Sequence, residues 1–143
     1  KHEFETFEGE EMQIGGEQDK PQVAFFYTSW CGFCRRALPG IQELHEKYKD
    51  KGVDVIAINL DSRTGQRART KETTLEQYKE LELSMPMTMD DEKKIGQDYK
   101  VTSFPTLFVI SPDGKVASVH IGAKRNLTDL VSQDVDKLLK AEG

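Results

Sequence analysis

The chain has 143 residues, 20 Lys+Arg against 25 Asp+Glu, a net charge of −5, 36% hydrophobic residues and two cysteines. That length suits one domain over residues 1–143, with a core large enough to stand without disulfide staples. The acidic balance argues against nucleic acid or an anionic membrane as partner, and two cysteines exclude both a disulfide scaffold and a four-cysteine zinc site.

Phe4 to Ile14 alternates loosely around Gly9 and runs into Gly15-Gly16, which predicts a short hairpin or irregular edge strand. Gln18 to Gln22 is a polar turn containing Pro21. Val23-Ala24-Phe25-Phe26-Tyr27 is the longest apolar run. It falls far short of the roughly 20 residues that span a bilayer, so no membrane insertion is expected, and it suits a central strand buried on both faces. The start at Lys1-His2-Glu3, without Met or an apolar signal core, reads as a mature or trimmed form.

Arg35 to Tyr48 places Leu38, Ile41, Leu44, His45 and Tyr48 on one helical face, with Pro39 inside the pattern as an expected kink. Gly52 ends it as a left-handed cap, and Val53 to Leu60 is a second buried strand. Strand, helix and strand with short links predict a βαβ unit with parallel strands. Asp61 to Lys71 reads as a polar loop, whose Arg63, Arg67 and Arg69 are taken as solvated. Thr73 in Thr73-Thr74-Leu75-Glu76 is the expected cap of a short helix through Leu83. Met85, Met87 and Met89 alternate in a short extended piece, read as an edge strand packing one face. Asp90 is expected to cap a third helix through Ile95 and Tyr99. Thr106 to Ile110, the turn Ser111-Pro112-Asp113-Gly114 and Val116 to Ile121 form a hairpin, and Asn126 caps a last helix. Asn126-Leu127-Thr128 also matches a glycosylation acceptor, but the cap explains the same residues. The sum is an α/β domain with a mixed sheet flanked by helices.

Chemistry concentrates at Trp30-Cys31-Gly32-Phe33-Cys34. Two cysteines with two residues between them, after a buried strand and opening a helix, serve redox exchange. Cys31 falls at a helix N-terminus, where free backbone N–H groups and the dipole favour a thiolate. Cys34 stands one turn further in, placed to attack a mixed disulfide formed at Cys31. Trp30 offers a flat apolar rim. Half a zinc site is a poor alternative, because His2, His45 and His120 are scattered. A structural disulfide is also poor, since so small a loop adds little stability. No metal and no organic cofactor is expected.

Phe25 to Arg36 resembles the active-site strand and helix of the thioredoxin superfamily. Pro39 after Cys34, Phe104-Pro105-Thr106 before a strand, and Ser111 to Lys115 followed by Gly122 match the same family in order. The helix-plus-strand insert between Asp61 and Met89, with the N-terminal hairpin-like extension, is similar to the TlpA/ResA-like thiol–disulfide oxidoreductases. The resemblance implies a thioredoxin-like fold and catalysis by Cys31 as nucleophile and Cys34 as resolving thiol. It implies a substrate surface at Trp30, Gly32, Phe33, Phe104 and Pro105, and a cis peptide at Phe104-Pro105. Read alone, that bond is expected trans, since only about 5–6% of X–Pro bonds are cis. The implied partners are protein disulfides or dithiols and an upstream redox partner, met by a monomer working outside the cytoplasm of a bacterium.

Two departures stand out. Phe25 and Ala37 occupy positions where members of the family carry a proton-relaying Asp or Glu, so Cys34 is expected to lack a general base. Arg35 and Arg36 could add positive potential beside Cys31, though for Arg36 plain solvation is preferred. Two other functions compete. A thiol peroxidase is suggested by Thr28 three residues before Cys31, a spacing peroxiredoxins use, although their Pro and activating Arg are not evident. A non-catalytic binding module on the same fold is opposed by the retention of both cysteines and Trp30.

Overall fold

A computed structural model describes residues 1–63, 71–90 and 94–142. Chain order is β1 (His2–Glu5), β2 (Glu11–Ile14), β3 (Gln22–Tyr27), α1 (Gly32–Tyr48), β4 (Asp54–Asn59), α2 (Lys71–Glu80), β5 (Met87–Met89), α3 (Lys94–Asp98), β6 (Thr106–Ile110), β7 (Val116–Ile121) and α4 (Leu127–Glu142). The strands β1 and β2 pair antiparallel as the expected hairpin. The other five form one mixed sheet in the order β5-β4-β3-β6-β7. β3 runs parallel to β4 and antiparallel to β6, so it lies in the middle and carries its C-terminal turn to the rim of the sheet.

Period-two alternation divides the core. Val23, Phe25 and Tyr27 of β3 pack with Leu38, Ile41, Leu44 and Tyr48 of α1 and with Leu127, Val131 and Val135 of α4. Ala24 and Phe26 point the other way, joining Ile14, Ile56, Ile58, Ile95, Val101 and Phe108 under α3 and the hairpin. A strand buried on both faces must be apolar throughout, as Val23 to Tyr27 is. Gly52 adopts φ +76°, the left-handed turn that closes the first crossover.

Polar side chains lock the additions onto this frame. Gln22 accepts the Gly15 N–H at 2.9 Å and donates to the Gln13 carbonyl at 2.7 Å, tying the hairpin to β3. Buried Gln42 of α1 accepts the N–H groups of Ser84 and Met85 at 2.8 and 2.9 Å, which fixes the chain entering β5. Met85 and Met87 then pack on the α1 side of the sheet, and β5 is an edge strand, as the methionine alternation predicts.

Three expectations shift. α1 starts at Gly32, three residues before Arg35, because Cys31 itself is the N-cap. Thr73 does not cap α2: the helix already opens at Lys71 and ends at Glu80, where Glu82 turns left-handed at φ +55°. The Lys71 ammonium lies 5.7 Å from the Phe7 ring centre, a tertiary contact invisible to a local capping pattern. Asp90 does accept the N–H groups of Ile95 and Gly96, at 3.4 and 2.9 Å. Asn126 precedes α4, its carbonyl accepting the Leu130 N–H at 3.0 Å. Arg67 and Arg69 of the expected basic loop lie outside the described residues.

Candidate active site

The turn leaving β3 delivers both cysteines. The Cys31 backbone is extended at φ −81°, ψ 111°, while Gly32 onward is helical. Its sulfur therefore sits in the N-cap position, accepting the Cys34 N–H at 3.2 Å. This aims a backbone donor at the atom that must carry charge during attack. Both cysteines are free thiols, Cys31 half-buried and Cys34 fully buried. Burial pushes the Cys34 thiol far up, and its interaction with Cys31 adds to the rise. One thiol is thus presented to solvent and the other held protonated beneath it.

Trp30 and Phe104 meet edge to face at 6.1 Å, bringing the cysteine turn and the turn before β6 together. The Phe104–Pro105 peptide is cis. Pro105 is buried, and its carbonyl accepts the Gly122 N–H at 2.8 Å. Cys31 and Phe104 lean on the same core. A groove of about 380 Å³ opens beside Cys31, between the start of α1 and α2, lined by Trp30, Gly32, Arg35, Glu76 and Glu80. Arg35 crosses toward α2 to pair with Glu80 at 3.1 Å. Phe33 stands apart from that groove. It lines a separate hollow facing α4, its ring 5.9 Å from the Arg36 guanidinium.

Phe25 is fully buried and stacks on Tyr27 at 5.9 Å, and Ala37 packs on the core, so neither supplies a carboxylate. A buried carboxylate is nevertheless present close by. Asp61, read from sequence as the start of a polar loop, has no exposed surface. It accepts the Ser29 backbone N–H at 2.7 Å and also the Ser29 hydroxyl. The partners lie 32 residues apart, so no local pattern announces them. The Thr28 hydroxyl is buried without a hydrogen-bond partner, and the Thr28 carbonyl accepts the Cys31 N–H at 3.3 Å. Among the described residues there is no cluster of metal-binding side chains, and no helix is long and apolar enough to cross a membrane.

Known proteins resemble this chain in sequence and in fold. The chain is 33% identical over 115 residues to the thiol-disulfide oxidoreductase ResA of a Bacillus cereus strain, covering 80% of this chain and 62% of the relative. It is 29% identical over 120 residues to the thioredoxin-like protein YneN of Bacillus subtilis, covering 83% and 66%. It therefore spans less than two thirds of the length of these curated relatives. Among solved structures, the pneumococcal exposed lipoprotein thioredoxin Etrx1 of Streptococcus pneumoniae superposes with a TM-score of 0.81 at 25% identity, over 96% of this chain and 98% of that one. StoA of Bacillus subtilis, at 21% identity and a TM-score of 0.76 over 93% and 94%, shares the fold. The mixed sheet, its flanking helices and the N-terminal hairpin are those of the thioredoxin-like fold. The profile of one family, described as AhpC/TSA, runs from residue 2 to residue 119, across the hairpin, the cysteine turn, the insert and all but the end of β7; the chain belongs to that family.

Proposed function

We propose that the chain is a thiol–disulfide oxidoreductase that reduces protein disulfides through Cys31 and Cys34. The observation that carries this is the asymmetry of the pair: Cys31 half-exposed at the α1 N-cap under the Cys34 N–H, and Cys34 buried behind it. The Cys31 thiolate attacks one sulfur of a substrate disulfide, forming a mixed disulfide and releasing one substrate thiolate. The Cys34 thiolate then attacks the Cys31 sulfur, closing the Cys31–Cys34 disulfide and releasing the second. Two electrons pass to the substrate, whose two sulfurs take up two protons. Trp30, Gly32, Phe104 and Pro105 form the surface for an extended substrate segment, a reading supported by the Trp30–Phe104 contact that joins the cysteine turn to the turn before β6. Phe33 belongs to the rim on the α4 side. An upstream dithiol partner returns the pair to its reduced state. The chain acts as a monomer, and it works outside the cytoplasm; the location is supported by the similarity to the pneumococcal exposed lipoprotein thioredoxin.

The test is insulin reduction with dithiothreitol as electron source. Cys31→Ser abolishes it, whereas Cys34→Ser still attacks and accumulates a mixed disulfide at Cys31. Full activity in Cys31→Ser would refute the assignment.

A further inference from the structure

Asp61 follows β4 fully buried, beside a turn that belongs to β3. Its carboxylate takes both the N–H and the hydroxyl of Ser29, and its own N–H donates to the Asn59 side chain at 2.7 Å. Ser29 lies two residues before Cys31, and the Cys31 N–H bonds back to Thr28. The carboxylate thus grips the Thr28–Cys31 turn at its middle. Burying a carboxylate is costly, and an amide could have made a similar tie. The charge reaches further than Ser29. Burial is the main reason the Tyr27 hydroxyl is held protonated, and the Asp61 charge adds to that effect. Tyr27 also sits in the core that holds Cys34.

We propose that Asp61 is a positioning residue for the Cys31–Cys34 dithiol, fixing the cysteine turn through Ser29 and biasing the pair toward the disulfide by its charge. The inference rests on the oxidoreductase reading above. Its electrostatics are simple. Only the reduced protein can place a thiolate at this turn, and the disulfide carries no charge. An anion behind the turn disfavours that thiolate and leaves the oxidised state untouched. A pair so placed gives up electrons more readily, which makes the chain a reductant.

The experiment equilibrates the purified chain with glutathione and glutathione disulfide and counts free thiols. The dithiol and one glutathione disulfide give the protein disulfide and two glutathiones. Asp61→Asn keeps the side chain's shape and an acceptor for Ser29 but removes the charge. The equilibrium is expected to move toward the dithiol by about threefold or more. An unmoved equilibrium in folded Asp61→Asn overturns the inference. If that variant does not fold, Ser29→Ala cuts the hydroxyl tie and leaves the carboxylate. Exchange with glutathione disulfide should then slow by about threefold or more, and Ser29→Thr should restore it. A wild-type rate in Ser29→Ala overturns the inference. A wild-type chain that never exchanges with glutathione disulfide overturns the oxidoreductase reading itself, and that failure shows before any variant is made.

Discussion

Two thiols three positions apart meet different surroundings because one is a cap and the other is core. Cys34 has no exposed surface, and its thiol is pushed well above the ordinary range by burial and by Cys31. Phe25 and Ala37 offer its proton no carboxylate in the relay positions, and the carboxylate of buried Asp61 is taken up by Ser29. Attack on the mixed disulfide needs the thiolate, whose fraction grows about tenfold per pH unit while the medium stays below the thiol's pKa. Resolution should therefore accelerate about tenfold per unit across roughly pH 6 to 9, without levelling. Stopped-flow release of a chromogenic thiol from a preformed Cys31 mixed disulfide reads this directly. A plateau below pH 8 would reveal a base that the structure does not place there. The motif itself is legible in the sequence because strand, cap and helix are local. Asp61 is not legible, because its partner Ser29 is reached only when β3 and β4 pair in register, Tyr27 opposite Asn59.

Elements that the sequence describes well are those whose hydrophobic period is internal. β3, β4, β6 and α1 follow from their own residues, and the hairpin turn Ser111 to Gly114 closes as read, the Gly114 N–H reaching the Ser111 carbonyl at 2.9 Å. The insert is different. α2 buries only Thr74 and Tyr78, so its position is set by outside contacts rather than by its own face. The chain that follows it is held by Gln42, whose one carbonyl oxygen accepts the N–H groups of exposed Ser84 and buried Met85 and whose amide donates to the Ser84 hydroxyl at 2.7 Å. Leaving a buried donor unpaired costs about 1–3 kcal/mol. Gln42→Ala should therefore lower the unfolding free energy by about 2 kcal/mol, measured by urea denaturation. It should also release the chain before β5, seen as faster amide exchange at Ser84 and Met85. A loss below about 1 kcal/mol would mean that water replaces the side chain.

At the scale of the whole molecule, the same burial that sorts residues onto two faces of the sheet also sets its response to alkali. All four tyrosines of the chain, Tyr27, Tyr48, Tyr78 and Tyr99, are shifted upward with burial as the leading cause, and Cys34 joins them. Each is an acid whose neutral form the fold prefers. Unfolded, a cysteine ionises near pH 8.5 and a tyrosine near pH 10. Below those values both states hold the same protons, and these groups leave stability unchanged. Above them the unfolded chain binds fewer protons than the folded one, so the unfolding free energy falls as pH rises. The melting temperature should be insensitive to these five groups between about pH 7 and 8, begin to fall near pH 9, and drop steeply beyond pH 10. Tyr27→Phe should flatten that descent, since it removes the hydroxyl, which donates to the Met87 sulfur at 3.2 Å and also bonds the Asn59 side chain. Thermal melts by circular dichroism from pH 7 to 11, beside a spectroscopic titration of the tyrosines, decide it. Tyrosines that ionise near pH 10 in a chain still folded and equally stable would show that the core admits water around them, contrary to the packing described.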